Sequence, residues 1–392
     1  MNGLNEKRMV DSSPKLRVGF SALLTSEGRS GLGQYIINLL HALVRAADQH
    51  HFVIFKLEGD RSLDSLIGAN VSLIEISRYW SNPIFSIFWH IVYFPILAKI
   101  HSLNVVHLPS YRRPVFWFPC PFIVTVHDMA IFRMPNKYGL LRFLFHRLVT
   151  AGFLQKARHI VTVSMASKND ILRFMEIKNV LISVVHNGIN HAEFFCRDKE
   201  ESQDFIRNKL GFDFPIILCV SRLEHPGKNL VRLIEAFSIL KSWDNISHKL
   251  VIVGSPWNGA SAIFHAAKTS LFSKEIVFPG FVSQADLPFL YNAADMFVFP
   301  SLWEGFGFPV LEAMACGIPV ACSNVASLPE IVDEAAQLFD PTDVESISQA
   351  MRFCLFPEAT QISRGLKQAN RFSWVEASKR ILLLYEECCE RV

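Results

Sequence analysis

Apolar residues in this chain fall into short runs, separated by longer stretches in which they recur every three or four positions. Short runs bounded by turn residues read as buried strands, and the periodic stretches read as helices. Residues 16–20 (Leu16-Arg17-Val18-Gly19-Phe20) form the first run. A polar loop and Gly31-Leu32-Gly33 follow, then Tyr35, Ile36, Leu39, Leu40 and Leu43 at helical spacing. The pattern predicts further strands at 51–55, 71–76, 105–108, 122–126 and 159–163, and a last one over 184–189 that runs into the Asn187-Gly188 turn. A second series begins at 216–220 and continues at 250–253, 276–278, 296–299 and 319–321. Helices are expected from Leu230, from Pro309 to Cys316-Gly317, and over 374–389. Strand alternating with helix implies parallel sheets, and two such series imply two doubly wound α/β domains.

The length of 392 residues accommodates two cores. Residues 1–13 are polar, lack the apolar segment of a signal peptide and read as a loose tail. The first domain is expected over 14–190 and the second over 191–373, with the charged segment 197–207 as the passage between them.

Composition changes this picture mainly through charge. The chain is 50% apolar and 19% charged, so it is globular. Its net charge of +3 conceals an asymmetry: up to Asn190 there are 21 Lys and Arg against 11 Asp and Glu, and beyond it 18 against 25. A basic first half beside an acidic second half points to an anionic partner for the first, either a membrane surface or a phosphorylated acceptor. The cations form no dense stripe or known binding motif, which excludes nucleic acid. Eight cysteines without CxxC or His/Cys ligand spacing read as reduced thiols of a cytoplasmic protein. Residues 84–100 are strongly apolar, but His90 and Pro95 interrupt them, which fits peripheral contact with the inner face of a membrane better than a span. Arg78-Tyr79-Trp80, Phe85, Phe88, Trp89 and Tyr93 mix aromatic and basic character, as do Tyr111-Arg112-Arg113 with Phe116-Trp117-Phe118, and Arg142-Phe143-Leu144-Phe145-His146-Arg147. Such mixtures suit a lipid headgroup interface; core packing beside solvated arginines is the other reading.

The chemistry concentrates in residues 299–320, FPSLWEGFGFPVLEAMACGIPV. An apolar run turns at Pro300-Ser301 into a loop, Glu304-Gly305-Phe306-Gly307-Phe308, and a helix opens at Pro309. Free amides at a helix N-terminus suit a phosphate, and glycines let backbone approach a ligand closely. Glu304 and Glu312 are placed to accept from sugar or ribose hydroxyls. His127 and Asp128 stand at the carboxyl end of the predicted strand 122–126. There a histidine can titrate or donate, and Asp128 is either a functional partner or a turn cap. Arg222 and Lys228 flank the turn in SRLEHPGKN, between strand and helix, where paired cations hold a diphosphate. Gly31-x-Gly33 lacks the third glycine of a dinucleotide fingerprint, and a plain tight turn explains it equally well.

At these motifs the chain resembles the family 4 retaining glycosyltransferases of the GT-B fold, over nearly its whole length; the EGFGFPVLE segment with its paired glutamates is the most specific element. The resemblance implies two Rossmann-like domains facing across a cleft, with 374–392 crossing back onto the first. It implies that Arg222 and Lys228 bind the nucleotide-sugar diphosphate, and that Glu304 with the amides of Phe306, Gly307 and Phe308 holds the transferred sugar. Glu312 would bind the ribose, residues around Val282 would line the base pocket, and Gly33 would approach the phosphate. His127 would face sugar and acceptor, with Asp128 beside it, and Tyr111, Arg112 and Arg113 are the candidates for the acceptor side. No Asp-x-Asp occurs, so neither metal nor cofactor is expected, and Arg, Lys and a helix N-terminus would offset the leaving diphosphate. No carboxylate is obviously poised as a nucleophile, and the implied outcome is retention by same-face attack. The His127-Asp128 pair and SRLEHPGKN look like mannosyltransferase relatives, a lean toward GDP-mannose and a glycan or lipid-linked acceptor in cell-surface polysaccharide synthesis. A nucleotide-sugar epimerase and a non-catalytic binding subunit on the same fold are the competing readings.

Overall fold

The computed structural model describes residues 16–134, 143–144, 146–357 and 359–390. The expected loose tail, 1–13, lies outside these residues, as do Arg142 and Phe145 of the third aromatic and basic segment. In the first sheet, β1 is Arg17–Ser21, β2 His51–Leu57, β3 Val71–Ile76, β4 Val105–Leu108, β5 Phe122–Val126, β6 His159–Thr162 and β7 Leu181–Val184. In the second, β8 is Ile216–Val220, β9 Lys249–Val253, β10 Ile276–Gly280, β11 Met296–Phe299, β12 Val320–Ser323 and β13 Gln337–Phe339. The spatial orders are β3-β2-β1-β4-β5-β6-β7 and β10-β9-β8-β11-β12-β13. The pairings are parallel, for example Phe20 with Ile54 of β2 and His107 of β4, and Leu218 with Val251 of β9 and Phe297 of β11. Each order doubles back once, between β1 and β4 and between β8 and β11, as a doubly wound sheet must.

Sheets covered on both faces need continuous apolar strands, and the chain supplies them. Val18, Phe20, Phe52, Val53, Ile54, Phe55, Val105 and Val106 are buried in the first sheet, and Ile217, Leu218, Val251, Ile252, Phe297 and Val298 in the second. The helix Gly31–Ala46 buries Tyr35, Ile36, Leu39, Leu40 and Leu43 on one face, as their spacing requires.

By compactness the chain divides into two units. One comprises the described residues of Met1–Val124, Lys156–His159 and Ser378–Val392; the other comprises those of Thr125–Gln155 and Ile160–Ala377. The last helix, Trp374–Glu390, thus contributes its residues from Ser378 onward to the first unit. Within that unit the buried His107 Nδ1 and Tyr385 hydroxyl lie 2.6 Å apart, and His50 Nε2 is 3.2 Å from Glu386.

Two expectations are corrected, and one strand was not anticipated. The strand placed at 184–189 is Leu181–Val184, because the later backbone is engaged elsewhere: Val185 N–H donates to Thr162 and Ile189 N–H to Phe372. The charged passage 197–207 is helical from Lys199 to Leu210, capped by Asp198 at its start and by Gly211 in the left-handed conformation at its end. β13, only three residues long, has no periodicity to read.

Tyr385 is fully buried. Tyr385→Ala should lower stability in denaturant unfolding by about 3–5 kcal/mol, the cost of deleting a large core aromatic. Tyr385→Phe, which removes only the contact with His107, should cost about 1 kcal/mol.

Candidate functional site

In an open parallel sheet the ligand crevice lies beyond the carboxyl ends of the strands, where the strand order reverses. In the second unit that point is β8 next to β11. The loop after β8 carries Arg222 and Lys228, and the loop after β11 carries Glu304 to Phe308. The two loops are joined by a backbone bond from Leu302 N–H to Gly227 O, 2.9 Å. Lys228 Nζ donates to Glu304 Oε1 at 2.5 Å, and Ser301 Oγ donates to the same oxygen at 2.6 Å. Lys228 also stands over the Phe299 ring, 5.6 Å from its centroid. Both partners of the pair are largely enclosed, so the pair is shielded more than an open surface contact. Arg222 is more exposed, 3.8 Å from Glu224 and over the Trp257 ring. The loop after β8 thus carries one exposed cation, Arg222, and one enclosed cation, Lys228.

The glycine loop is held from several sides. Ser327 Oγ donates to Glu304 O and Phe306 O, and Ser164 Oγ to Gly305 O. Phe306 is buried within a cluster of Phe308, His186 and Phe372, and Phe308 stacks on Trp374. A Cβ on Gly305 would lie 2.1 Å from the carbonyl oxygen of His127, so no other residue fits there. Gly307, at φ +104°, starts the helix Phe308–Ala315.

That contact brings the end of β5 to the loop. Ser167 Oγ donates to His127 O at 2.8 Å, fixing the backbone that carries the imidazole. Asp128 Oδ1 accepts from Ala130 N–H at 3.0 Å, a local turn contact just ahead of the helix Ala130–Arg133. Arg133, at the end of the short helix Ala130–Arg133, donates to the buried Asp170 and lies over the ring of Trp303, the residue before Glu304.

Glu312 lies in the helix Phe308–Ala315, and its Oε2 accepts from the Tyr291 hydroxyl at 2.8 Å. Burial pushes its carboxyl up to about 7, against the opposing donation from Tyr291, and Glu193 adds to the rise. Glu330 behaves in the opposite way. Burial favours its neutral form, but donation from His186 Nε2 at 2.7 Å and from the amides of Met165 and Ala166 prevails, and its pKa lies below the ordinary value.

Two cations, two carboxylates and a held glycine loop therefore lie at the ends of β8 and β11. The model of Glycosyltransferase Family 4 matches residues 29–193, and that of Glycosyl transferases group 1 matches residues 202–363. The chain is similar to O-antigen chain mannosyltransferase B of Escherichia coli, with 31% identity over 293 residues, covering 70% of this chain and 74% of the relative. The chain belongs to the family 4 glycosyltransferases. It is also similar to O-antigen chain mannosyltransferase RfbU of Salmonella typhimurium, at 26% identity over 84% of this chain and 89% of that one. Among solved structures, sucrose-phosphate synthase from Thermosynechococcus elongatus superposes with a TM-score of 0.77 at 20% identity, over 96% of this chain and 100% of that one, which shows the shared GT-B fold.

The remaining candidates of this glycosyltransferase sit as follows. Val282 is buried just past β10, at the same carboxyl edge, beside an exposed Phe281. Gly33 belongs to the first unit, where a Cβ would meet Thr25 O at 1.9 Å; its close approach in this structure is to the chain's own backbone. Tyr111 is a buried ring, Arg112 is exposed, and Arg113 Nε donates to Ser86 Oγ at 2.8 Å. Burial, with Arg112 alongside, lowers Arg113 to about 10. Sequence reasoning missed Ser164, Ser301, Ser327 and Tyr291, whose roles are contacts across long sequence separations. Only Ser301, three residues before Glu304, was within reach of a local reading.

Because the folded pKa of Glu312 is raised, its contribution to stability is largest below the ordinary carboxyl range and is lost as pH rises through about 7. Glu312→Gln should flatten that part of the melting-temperature profile. If ionised Glu312 accepts from ribose hydroxyls, nucleotide-sugar affinity should rise across the same pH range in the wild type and not in Glu312→Gln, as read by isothermal titration.

Proposed function

We propose that this enzyme transfers mannose from GDP-mannose, with retention of configuration and without a metal ion, to a glycan or lipid-linked acceptor of a cell-surface polysaccharide, at the cytoplasmic face of the membrane. The observation that carries the reading is the Lys228–Glu304–Ser301 cluster at the meeting of the β8 and β11 loops. A leaving nucleoside diphosphate needs fixed positive charge, and Lys228 with Arg222 supplies it at the strand crossing. The transferred sugar needs acceptors that hold its hydroxyls, and Glu304 with the loop amides from Phe306 to Phe308 supplies those. Lys228 donates to Glu304, and donor binding would redirect the cation to phosphate and the carboxylate to sugar. Glu312 takes the ribose, Val282 lines the base, and His127 faces the reacting sugar with Asp128 positioning its turn. Tyr111, Arg112 and Arg113 stay assigned to the acceptor side, with Arg112 the most exposed of the three. Mannose as the sugar, and polysaccharide as the product, are supported by the names of the two relatives described above.

Lys228→Ala should weaken GDP-mannose binding by on the order of 1.5–3 kcal/mol in titrations containing EDTA. Unchanged affinity removes Lys228 from the donor site. Glu304→Gln should reduce kcat well beyond any loss of GDP affinity, since its partner is the sugar rather than the nucleotide. An equal loss of GDP affinity contradicts that role. As the two side chains are bonded in the empty enzyme, the double variant should lose less than the sum of the single ones.

A further inference from the structure

The helical stretch Pro83–Ile100 of the first unit is apolar on both of its sides, with a mean hydropathy of 1.5 over 18 residues. One side is committed to the protein: Trp89, His90, Phe94 and Ala98 are buried, and His90 is within hydrogen-bond distance of Ser21 Oγ of β1 and of Ser86 O. The other side carries Ile84, 75% exposed, with Phe85, Phe88, Tyr93, Ile96 and Ile100 also open to solvent. The preceding turn, Arg78–Ser81, extends this face with Tyr79 stacked on Phe85 at 4.5 Å and Trp80 against Tyr93 at 5.1 Å. Phe118 packs edge-on against the buried Phe94, and the neighbouring Phe116 and Trp117 are themselves exposed. A contiguous exposed apolar face of this extent marks an interaction surface.

Charge decides what covers it. Between Glu75 and Asp128 there is no acidic residue, whereas Arg78, Lys99, Arg112 and Arg113 lie in that interval. Arg78 and Lys99 are exposed at the two ends of the apolar face. Tyrosine and tryptophan at the margin of an aliphatic stripe, in a stretch of chain whose Asp, Glu, Lys and Arg residues are all cationic, match the headgroup layer of an anionic bilayer. The inward side, bonded to β1, keeps the helix lying flat rather than crossing. We propose that this face seats in the interfacial layer of a membrane containing anionic lipid. This deepens the membrane part of the function proposed above and is independent of its donor part.

Flotation of the whole protein with vesicles of phosphatidylcholine and phosphatidylglycerol tests it. The wild type should float with these vesicles, more weakly as salt is raised or phosphatidylglycerol withdrawn. The triple variant Ile84→Ser, Phe88→Ser, Ile96→Ser should lose about tenfold or more in partitioning. Arg78→Glu with Lys99→Glu, which leaves the apolar side chains in place, should lose the dependence on anionic lipid. Thermal stabilisation by GDP-mannose, measured in parallel, reports whether each variant is folded and tests the donor reading separately. Wild-type protein that stays in the soluble fraction overturns the proposal, as does a triple variant that melts normally and floats as before. Self-association of the wild type in sedimentation, abolished by the triple variant without any vesicle binding, would make the face a protein interface and also overturn it.

Discussion

A carbonyl oxygen decides how this site is built. His127 O stands where any side chain on residue 305 would have to be, and only a glycine lets the two backbones meet. Through that contact the end of β5 and the loop after β11 become one surface, with Ser164 and Ser167 bonded across it to Gly305 O and His127 O. From the other direction Leu302 ties the same loop to Gly227, and Lys228 comes onto Glu304. Three strand ends, β5, β8 and β11, thus converge on five loop residues. Each anchor is modest, about 1 kcal/mol for an ordinary hydrogen bond, but together they hold the loop near one conformation before any ligand arrives. Preorganised donors and charges are the ones that lower a barrier, because they need no rearrangement as charge develops.

The same logic separates the two glutamates. Glu304 accepts from a lysine and a serine hydroxyl at once. Glu312, beside a tyrosine hydroxyl in an enclosed spot, is held near its midpoint at neutral pH. Eight positions apart in sequence, they are chemically unlike because their surroundings differ, and a ligand would draw on that difference. The first unit is organised differently: its apolar helix, fixed inward through His90, leaves an aliphatic and aromatic face outward, within a stretch of chain that carries no acidic residue.

Much of this was legible in the chain itself, for identifiable reasons. Parallel strands buried on both faces read as unbroken apolar runs, so β4, β5, β8 and β11 appear at their expected residues. The helix at Phe308–Ala315 announces itself by proline at its start and glycine beyond its end. Lys228 and Glu304 were chosen separately, each from its own motif, and the fold brings them into contact. What escaped was whatever depends on distant partners. Ser327 looks like any loop serine until it is seen bonded to two loop carbonyls, and Tyr291 looks like a core aromatic until Glu312 is found on its hydroxyl. Asp128 reads as catalyst or cap because both uses place an aspartate just past a strand, and its contact with Ala130 is a local turn bond. Tyr111 read as surface because it neighbours two arginines, yet it is buried.

The central claim is that the loops after β8 and β11 form one donor site. Hydrogen–deuterium exchange on the whole enzyme, with and without GDP-mannose and with EDTA present, tests it most directly. Slower exchange in both 221–229 and 301–312 on adding the sugar nucleotide is the predicted result. Exchange unchanged in both segments, at a concentration that saturates binding measured independently, would place the donor elsewhere and contradict the account.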